Sequence, residues 1–85
     1  MIITVRLFAA ARQAAGRGTD EFELPEGTTL RGALAAATGR YGGEFPDVLA
    51  TARVWINGDE PPHGPETPVR EGDEIAVLPP VSGGR

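Results

Sequence analysis

Arg70-Glu71-Gly72-Asp73-Glu74-Ile75-Ala76-Val77-Leu78-Pro79-Pro80-Val81-Ser82-Gly83-Gly84 is the stretch on which the fold turns. Glu71-Gly72-Asp73 has turn chemistry, and Glu74 to Leu78 then alternates, with Ile75 and Val77 on one face, as a half-buried strand does. Pro79 and Pro80 have no N–H to donate and end it. Residues 81–85 are expected to be a flexible tail on a body formed by residues 1–80. Extended, Pro79 to Gly84 can reach roughly 20 Å. Two prolines stiffen the base of that tail, while Gly83 and Gly84, lacking Cβ atoms, let the walls of a narrow channel close on the backbone. The reactive group at such a tip is a carboxylate, a poor electrophile until its oxygen becomes a leaving group, so the design implies activation by a partner with a nucleotide. Taken alone, Gly-Gly fits a frayed Ser/Gly terminus better than a functional tip.

Upstream, Met1 to Phe8 alternates Ile3, Val5 and Leu7 against Thr4 and Arg6, a strand with one buried face. Ala9 to Ala15 is alanine-rich and ends at Gly16, which predicts a two-turn helix with a left-handed cap. Glu21 to Leu24 is a second strand, joined to that helix by a loop from Gly16 to Thr19 and closed by Pro25-Glu26-Gly27. Leu30, Ala33, Leu34, Ala37 and Tyr41 lay one apolar stripe along the main helix, capped by Thr28 or Thr29 and terminated by Gly39, Gly42 and Gly43. Phe45-Pro46 opens a loop from which Val48 and Leu49 lean on the core. Val54 and Ile56 alternate with Arg53 and Trp55 in a third strand turned at Asn57-Gly58-Asp59, and Pro61 to Pro65 is an irregular surface loop. The order is strand, short helix, strand, long helix, strand, strand. One long helix covering one face of a small mixed sheet is the β-grasp pattern, an α+β fold. A meander of hairpins with a loosely docked helix is the alternative.

Composition narrows the functions. The chain has 85 residues, enough for one small domain, and no cysteine, so it has no disulfide, thiolate nucleophile or thiolate metal site. Eight basic residues stand against twelve acidic ones, a net charge of −4 that lacks the basic footprint of a nucleic-acid binder. All eight are arginine, so there is no lysine nucleophile. Apolar runs are too short for a membrane span or a secretory signal, and a cytoplasmic domain is expected. His63, alone in its loop, is expected to be solvated, with no metal site assigned. Trp55 is expected to be a half-covered sheet residue, and Glu71, Asp73 and Glu74 to keep the surface soluble or steer docking to a basic partner.

The quoted stretch resembles the end of the ubiquitin-like sulfur carriers, especially the molybdopterin synthase small subunits, whose last strand follows a Gly-Asp-Glu turn and runs into Pro-Pro-Val-(Ser/Thr)-Gly-Gly. Phe8-Ala9 followed by Arg12 and Gly16 resembles that family's first strand and short helix, and Trp55-Ile56-Asn57-Gly58 its third strand and turn. The resemblance implies a protein substrate rather than an enzyme, with no cofactor of its own. A ubiquitin-activating-like adenylyltransferase, using ATP and magnesium, would convert the carboxylate of Gly84, beside Gly83, to an acyl-adenylate, and a sulfur donor would leave a thiocarboxylate. In molybdopterin synthase such a tail, here Pro79, Pro80, Val81 and Ser82 with the two glycines, enters the large subunit and passes sulfur to cyclic pyranopterin monophosphate. Phe8, Leu78 and the nearby sheet face would be the apolar docking surface, with Arg12 at its edge, although Phe8 and Leu78 also suit a core. Carriers for thiazole, cysteine or secondary-metabolite thiolation share these features, and so does a ubiquitin-like modifier ending in an isopeptide bond. A β-grasp module with an inert tail is the third class. Arg85 departs from the pattern, which exposes glycine. Its removal by a peptidase is expected, with a remnant residue as the alternative.

Overall fold

The structure is a computed structural model in which residues 1–80 are described. The tail, residues 81–85, including Val81, Ser82, Gly83, Gly84 and Arg85, lies outside the described residues. Strands β1 (Ile2–Leu7), β2 (Thr19–Glu23), β3 (Arg53–Ile56) and β4 (Glu74–Leu78) form one sheet in the order β2-β1-β4-β3. The central pair, β1 and β4, is parallel, and both edge pairs are antiparallel. This mixed sheet is the β-grasp arrangement, not a hairpin meander, because the first and last strands are neighbours. Their register, Val5↔Ile75 and Leu7↔Val77, sets Ile3, Val5, Leu7, Ile75 and Val77 in one layer, each no more than 1% exposed. Complete burial of such a side chain stabilises by roughly 1.5–3 kcal/mol.

Three helices cover that layer rather than one. The main helix α2 (Leu30–Tyr41) contributes buried Leu30, Ala33 and Ala37, and Thr29 caps it by accepting from the Gly32 N–H at 3.3 Å. Gly39 lies inside α2, which ends at Gly42 (φ +59). The short helix α1 (Ala9–Ala15) ends at Gly16 (φ +79), as the alanine run predicts. The segment expected to be a loop is helix α3 (Phe45–Thr51), whose Phe45 is fully buried and whose Pro46 occupies the first turn, where its missing N–H leaves no bond unmade. Strand β2 begins at Thr19, two residues earlier than its apolar alternation suggests, because Thr19 and Asp20 pair with Arg6 and Val5.

At the start of β4 the turns interlock. Asn57 (φ +52) and Gly58 (φ +85) make the left-handed hairpin turn after β3, and Ile56 and Asp59 exchange backbone hydrogen bonds across it. Asn57 Nδ2 donates to Asp73 Oδ1 at 2.9 Å, its Oδ1 accepts from the Glu74 N–H, and Asp73 Oδ2 accepts from the Arg70 N–H at 2.8 Å. Glu71 accepts from the Ile2 N–H, and Glu74 pairs with Arg6. The acids expected to serve solubility or steering thus hold this end of the sheet together.

Across the sheet, Asp20 joins β2 to α2. Its side chain, 10% exposed, accepts from Tyr41 Oη at 2.8 Å and Arg40 Nη1 at 3.0 Å, and faces Arg17 at 3.2 Å. Burial acts to raise the Asp20 pKa, but hydrogen bonds from Tyr41, Arg40 and the Glu21 N–H outweigh it and hold the carboxyl below its ordinary value of 3.8. Burial, followed by the Asp20 carboxylate, pushes the Tyr41 hydroxyl up, so it remains a donor. A carboxyl with a depressed folded pKa contributes stability above its unfolded value and loses it as pH falls through the folded one. Asp20→Asn is therefore expected to be less stable than the wild type at neutral pH, with the difference shrinking below about pH 4. Urea denaturation of both proteins across that range measures it.

Candidate functional site

Because β1 and β4 run parallel, they end at the same rim of the sheet. Leu7 and Val77 point inward, so the next residues, Phe8 and Leu78, turn to the other face side by side. The Phe8 N–H donates to the Val77 carbonyl at 3.2 Å. Phe8 is 37% exposed and Leu78 half-buried, while Pro79 and Pro80 are exposed where the chain leaves the sheet. The Arg6 guanidinium lies 5.7 Å from the centroid of the Phe8 ring.

These four residues form one wall of a mainly apolar cleft of about 410 Å³. Its floor is the first turn of α1, Ala9 to Ala11, and its far wall is α3 with Val48, Thr51 and Ala52, plus Asp47 at the lip. The chain enters α1 abruptly: Ala9 has φ +51, in the left-handed region that costs an alanine about 1–2 kcal/mol. That turn lets Phe8 stay at the rim while Ala11, 2% exposed, enters the core.

Phe8, Leu78, Pro79 and Pro80 are thus brought together. Arg12 is not in the cleft lining: its guanidinium packs over Gly18, where an added Cβ would meet Cζ at 3.4 Å. Val81, Ser82, Gly83 and Gly84 lie outside the described residues. Sequence reasoning missed the α3 wall, although the spacing of Val48, Leu49 and Ala52 behind a helix-starting proline carries the signal. Trp55, opposite Ala76 on the sheet face that carries Arg6, is half-buried with its Nε1 enclosed and without a hydrogen-bond partner among the described residues. His63 is an exposed loop residue, and no group of three or more potential metal-ligating side chains occurs among the described residues. A more polar cleft of about 480 Å³ lies at the opposite end of β4, beneath Pro62 and Pro68, away from the chain exit.

A four-stranded mixed sheet gripping one main helix, with an apolar cleft where its central strand exits, defines a ubiquitin-like β-grasp protein. The chain belongs to the ThiS family, whose model matches residues 5–84. It is 31% identical over 84 residues to a molybdopterin synthase sulfur carrier subunit of Chlamydomonas reinhardtii, covering 99% of this chain and all of that one. It superposes on small archaeal modifier protein 1 of Haloferax volcanii with a TM-score of 0.85 at 27% identity, over 99% of this chain and 100% of that one. It also matches a chain in the complex of subunits 1 and 2 of the molybdopterin-converting factor of Helicobacter pylori, with a TM-score of 0.67 at 26% identity, covering 99% and 100%. No helix among the described residues is long and apolar enough to cross a membrane.

Replacing Ala9 by glycine relieves the left-handed strain at the cost of a more flexible unfolded chain. Ala9→Gly is therefore expected to gain up to about 1 kcal/mol of stability, and the β-branched Ala9→Val to lose stability. Denaturation midpoints of the two variants check both signs.

Proposed function

We propose that this chain is a sulfur carrier acting as the small subunit of a molybdopterin synthase in the cytoplasm. The observation that carries the reading is the placement of Phe8 and Leu78 beside the exit of β4, so that an apolar docking patch and the base of a Gly-Gly tail share one rim. Similarity to the Chlamydomonas carrier subunit and to a subunit in complex with its partner supports the same pathway and a large-subunit acceptor.

The chemistry is set by the carboxylate. An oxygen of the Gly84 carboxylate attacks the α-phosphorus of ATP, bound with magnesium by a ubiquitin-activating-like adenylyltransferase, and pyrophosphate leaves. Hydrosulfide, delivered by a sulfur donor, then attacks the acyl carbon, the C–O bond to AMP breaks, AMP leaves, and loss of the S–H proton leaves the terminus as a thiocarboxylate. The carrier's own part is to present: Pro79 and Pro80 direct the tail away from the body, Val81 and Ser82 span the entrance of the partner's channel, and Gly83 and Gly84 reach its depth. Arg85, and anything beyond it, is removed first by a peptidase, since burying a guanidinium without a partner costs several kcal/mol in such a channel.

A second reading, a ubiquitin-like modifier, is favoured by the likeness to small archaeal modifier protein 1. Intact-mass analysis of the protein from its native cell separates the two. One terminal oxygen replaced by sulfur marks the carrier, and amide-linked adducts on other proteins mark the modifier.

Two outcomes are expected. A form ending at Gly84 forms the adenylate with ATP and the activating enzyme, whereas a form continuing through Arg85, or one lacking Gly83 and Gly84, does not, although all three melt at the same temperature. Equal adenylation of the Arg85 form would show that the terminal residue is not read. Phe8→Asp retains the fold, because the ring is partly exposed, and weakens binding to the large subunit at least tenfold by leaving a desolvated charge unpaired. Calorimetric titration gives the affinity, and a change of less than twofold would remove Phe8 from the docking surface.

A further inference from the structure

Strand β2 is an edge of the sheet, and an open edge is a template for another strand. The pairing with β1 decides which of its backbone groups face outward. Leu7 N–H donates to the Gly18 carbonyl and Leu24 N–H to the Met1 carbonyl, so with period two Gly18, Asp20, Phe22 and Leu24 face β1. Thr19, Glu21 and Glu23 therefore turn their N–H and C=O groups to the open edge.

Glu21, the middle of the three, is blocked on both counts. Its N–H donates to Asp20 Oδ1 at 2.9 Å, and its carbonyl accepts from Arg40 Nη1 at 2.8 Å. The two blocking side chains hold each other, since Arg40 Nη1 also reaches Asp20 Oδ2 at 3.0 Å, where Tyr41 Oη donates from the next position of α2. Arg40 cannot swing away freely: its guanidinium carbon lies 3.7 Å from the centroid of the Phe22 ring. On the opposite edge, β3, the outward backbone groups of Ile56 are used by Asp59.

We propose that Asp20 and Arg40 form an edge guard that closes β2 against antiparallel pairing with the β2 edge of a second copy of the chain. Glu21 and Glu23 add like-charge repulsion between copies. The guard leaves free the rim where β4 exits, so the molecule keeps one end open for a partner while the middle of its longest exposed edge is blocked. This inference goes beyond the sulfur-carrier reading and does not depend on it.

Sedimentation velocity on the full chain over a wide concentration range tests it, in salt sufficient to screen Glu21 and Glu23. The wild type is expected to remain monomeric. Arg40→Met, which keeps an aliphatic cover on Phe22, and Asp20→Ala are each expected to shift from monomer toward dimer as concentration rises. Should Asp20→Ala fail to fold, Arg40→Met decides the matter. Adding Glu21→Pro to Arg40→Met removes the outward N–H at an edge position that tolerates proline, and should restore the monomer without restoring the ion pair. In the Arg40→Met dimer the amides of Thr19 and Glu23 should exchange at least tenfold more slowly than in the monomer. A folded Arg40→Met that stays monomeric, or a wild type that already dimerises through β2, overturns the guard. So does a dimer that leaves Thr19 and Glu23 exchange unchanged or survives Glu21→Pro.

Discussion

The parallel pairing of β1 with β4 is the contact on which the rest of the molecule depends. It joins the first strand to the last, so every other element is part of one connection between them, and that connection must carry a helix over the sheet to bring the chain back parallel. The register is fixed by burial. A slip of one residue would turn Ile75 and Val77 to the outer face and bring Glu74 and Ala76 in against Val5 and Leu7. The same register places the ends of both strands at one rim. Phe8 stands beside Leu78 because Leu7 stands beside Val77, so the patch is a consequence of the core.

Most of this architecture was legible because its signals are local and periodic. Ile3, Val5 and Leu7 alternate over a full strand, and the stripe through Leu30, Ala33 and Ala37 runs along the main helix. Helix α3 was not legible in the same way. It has seven residues, too few for a full apolar stripe, and begins shortly after Gly42 and Gly43, two glycines with positive φ that read as the start of a loop. Thr19 and Asp20 were missed in β2 because the buried side of that stretch is polar: Asp20 sits there as an acceptor for Tyr41 and Arg40, which no alternation of apolar residues reveals.

The site was legible to a different degree. Phe8, Leu78, Pro79 and Pro80 could be grouped because they come directly after strands whose ends were readable, whereas the facing wall depends on α3 and disappeared with it. For Arg12, position in a motif does not fix where the side chain packs. One helical turn beyond Phe8 it can look either toward the cleft or toward the α1–β2 loop, and packing over Gly18 settles that orientation in favour of the loop. The structural contacts of the acids in the Glu71-Gly72-Asp73-Glu74 turn were not legible for a related reason. Their partners, Ile2, Asn57, Arg70 and Arg6, come mostly from distant parts of the chain.

Local rules are broken unevenly over the molecule. At the end where β4 begins, Asn57, Asp73 and Arg70 satisfy one another, and the positive φ of Asn57 suits a residue type that tolerates it. Ile2 is exposed there, but its backbone is tied to Glu71 and Gly72. Toward the end where β4 exits, an alanine is held at φ +51, a phenylalanine stays partly in solvent, and the tryptophan opposite Ala76 keeps an indole N–H without a partner among the described residues. None of the three stabilises the folded chain in isolation, and each would be removed by a sequence selected for stability alone. Their concentration toward the rim where β4 exits fits the docking surface proposed above. The positive φ of Ala9 is the local cost of leaving the Phe8 ring partly in solvent at that rim.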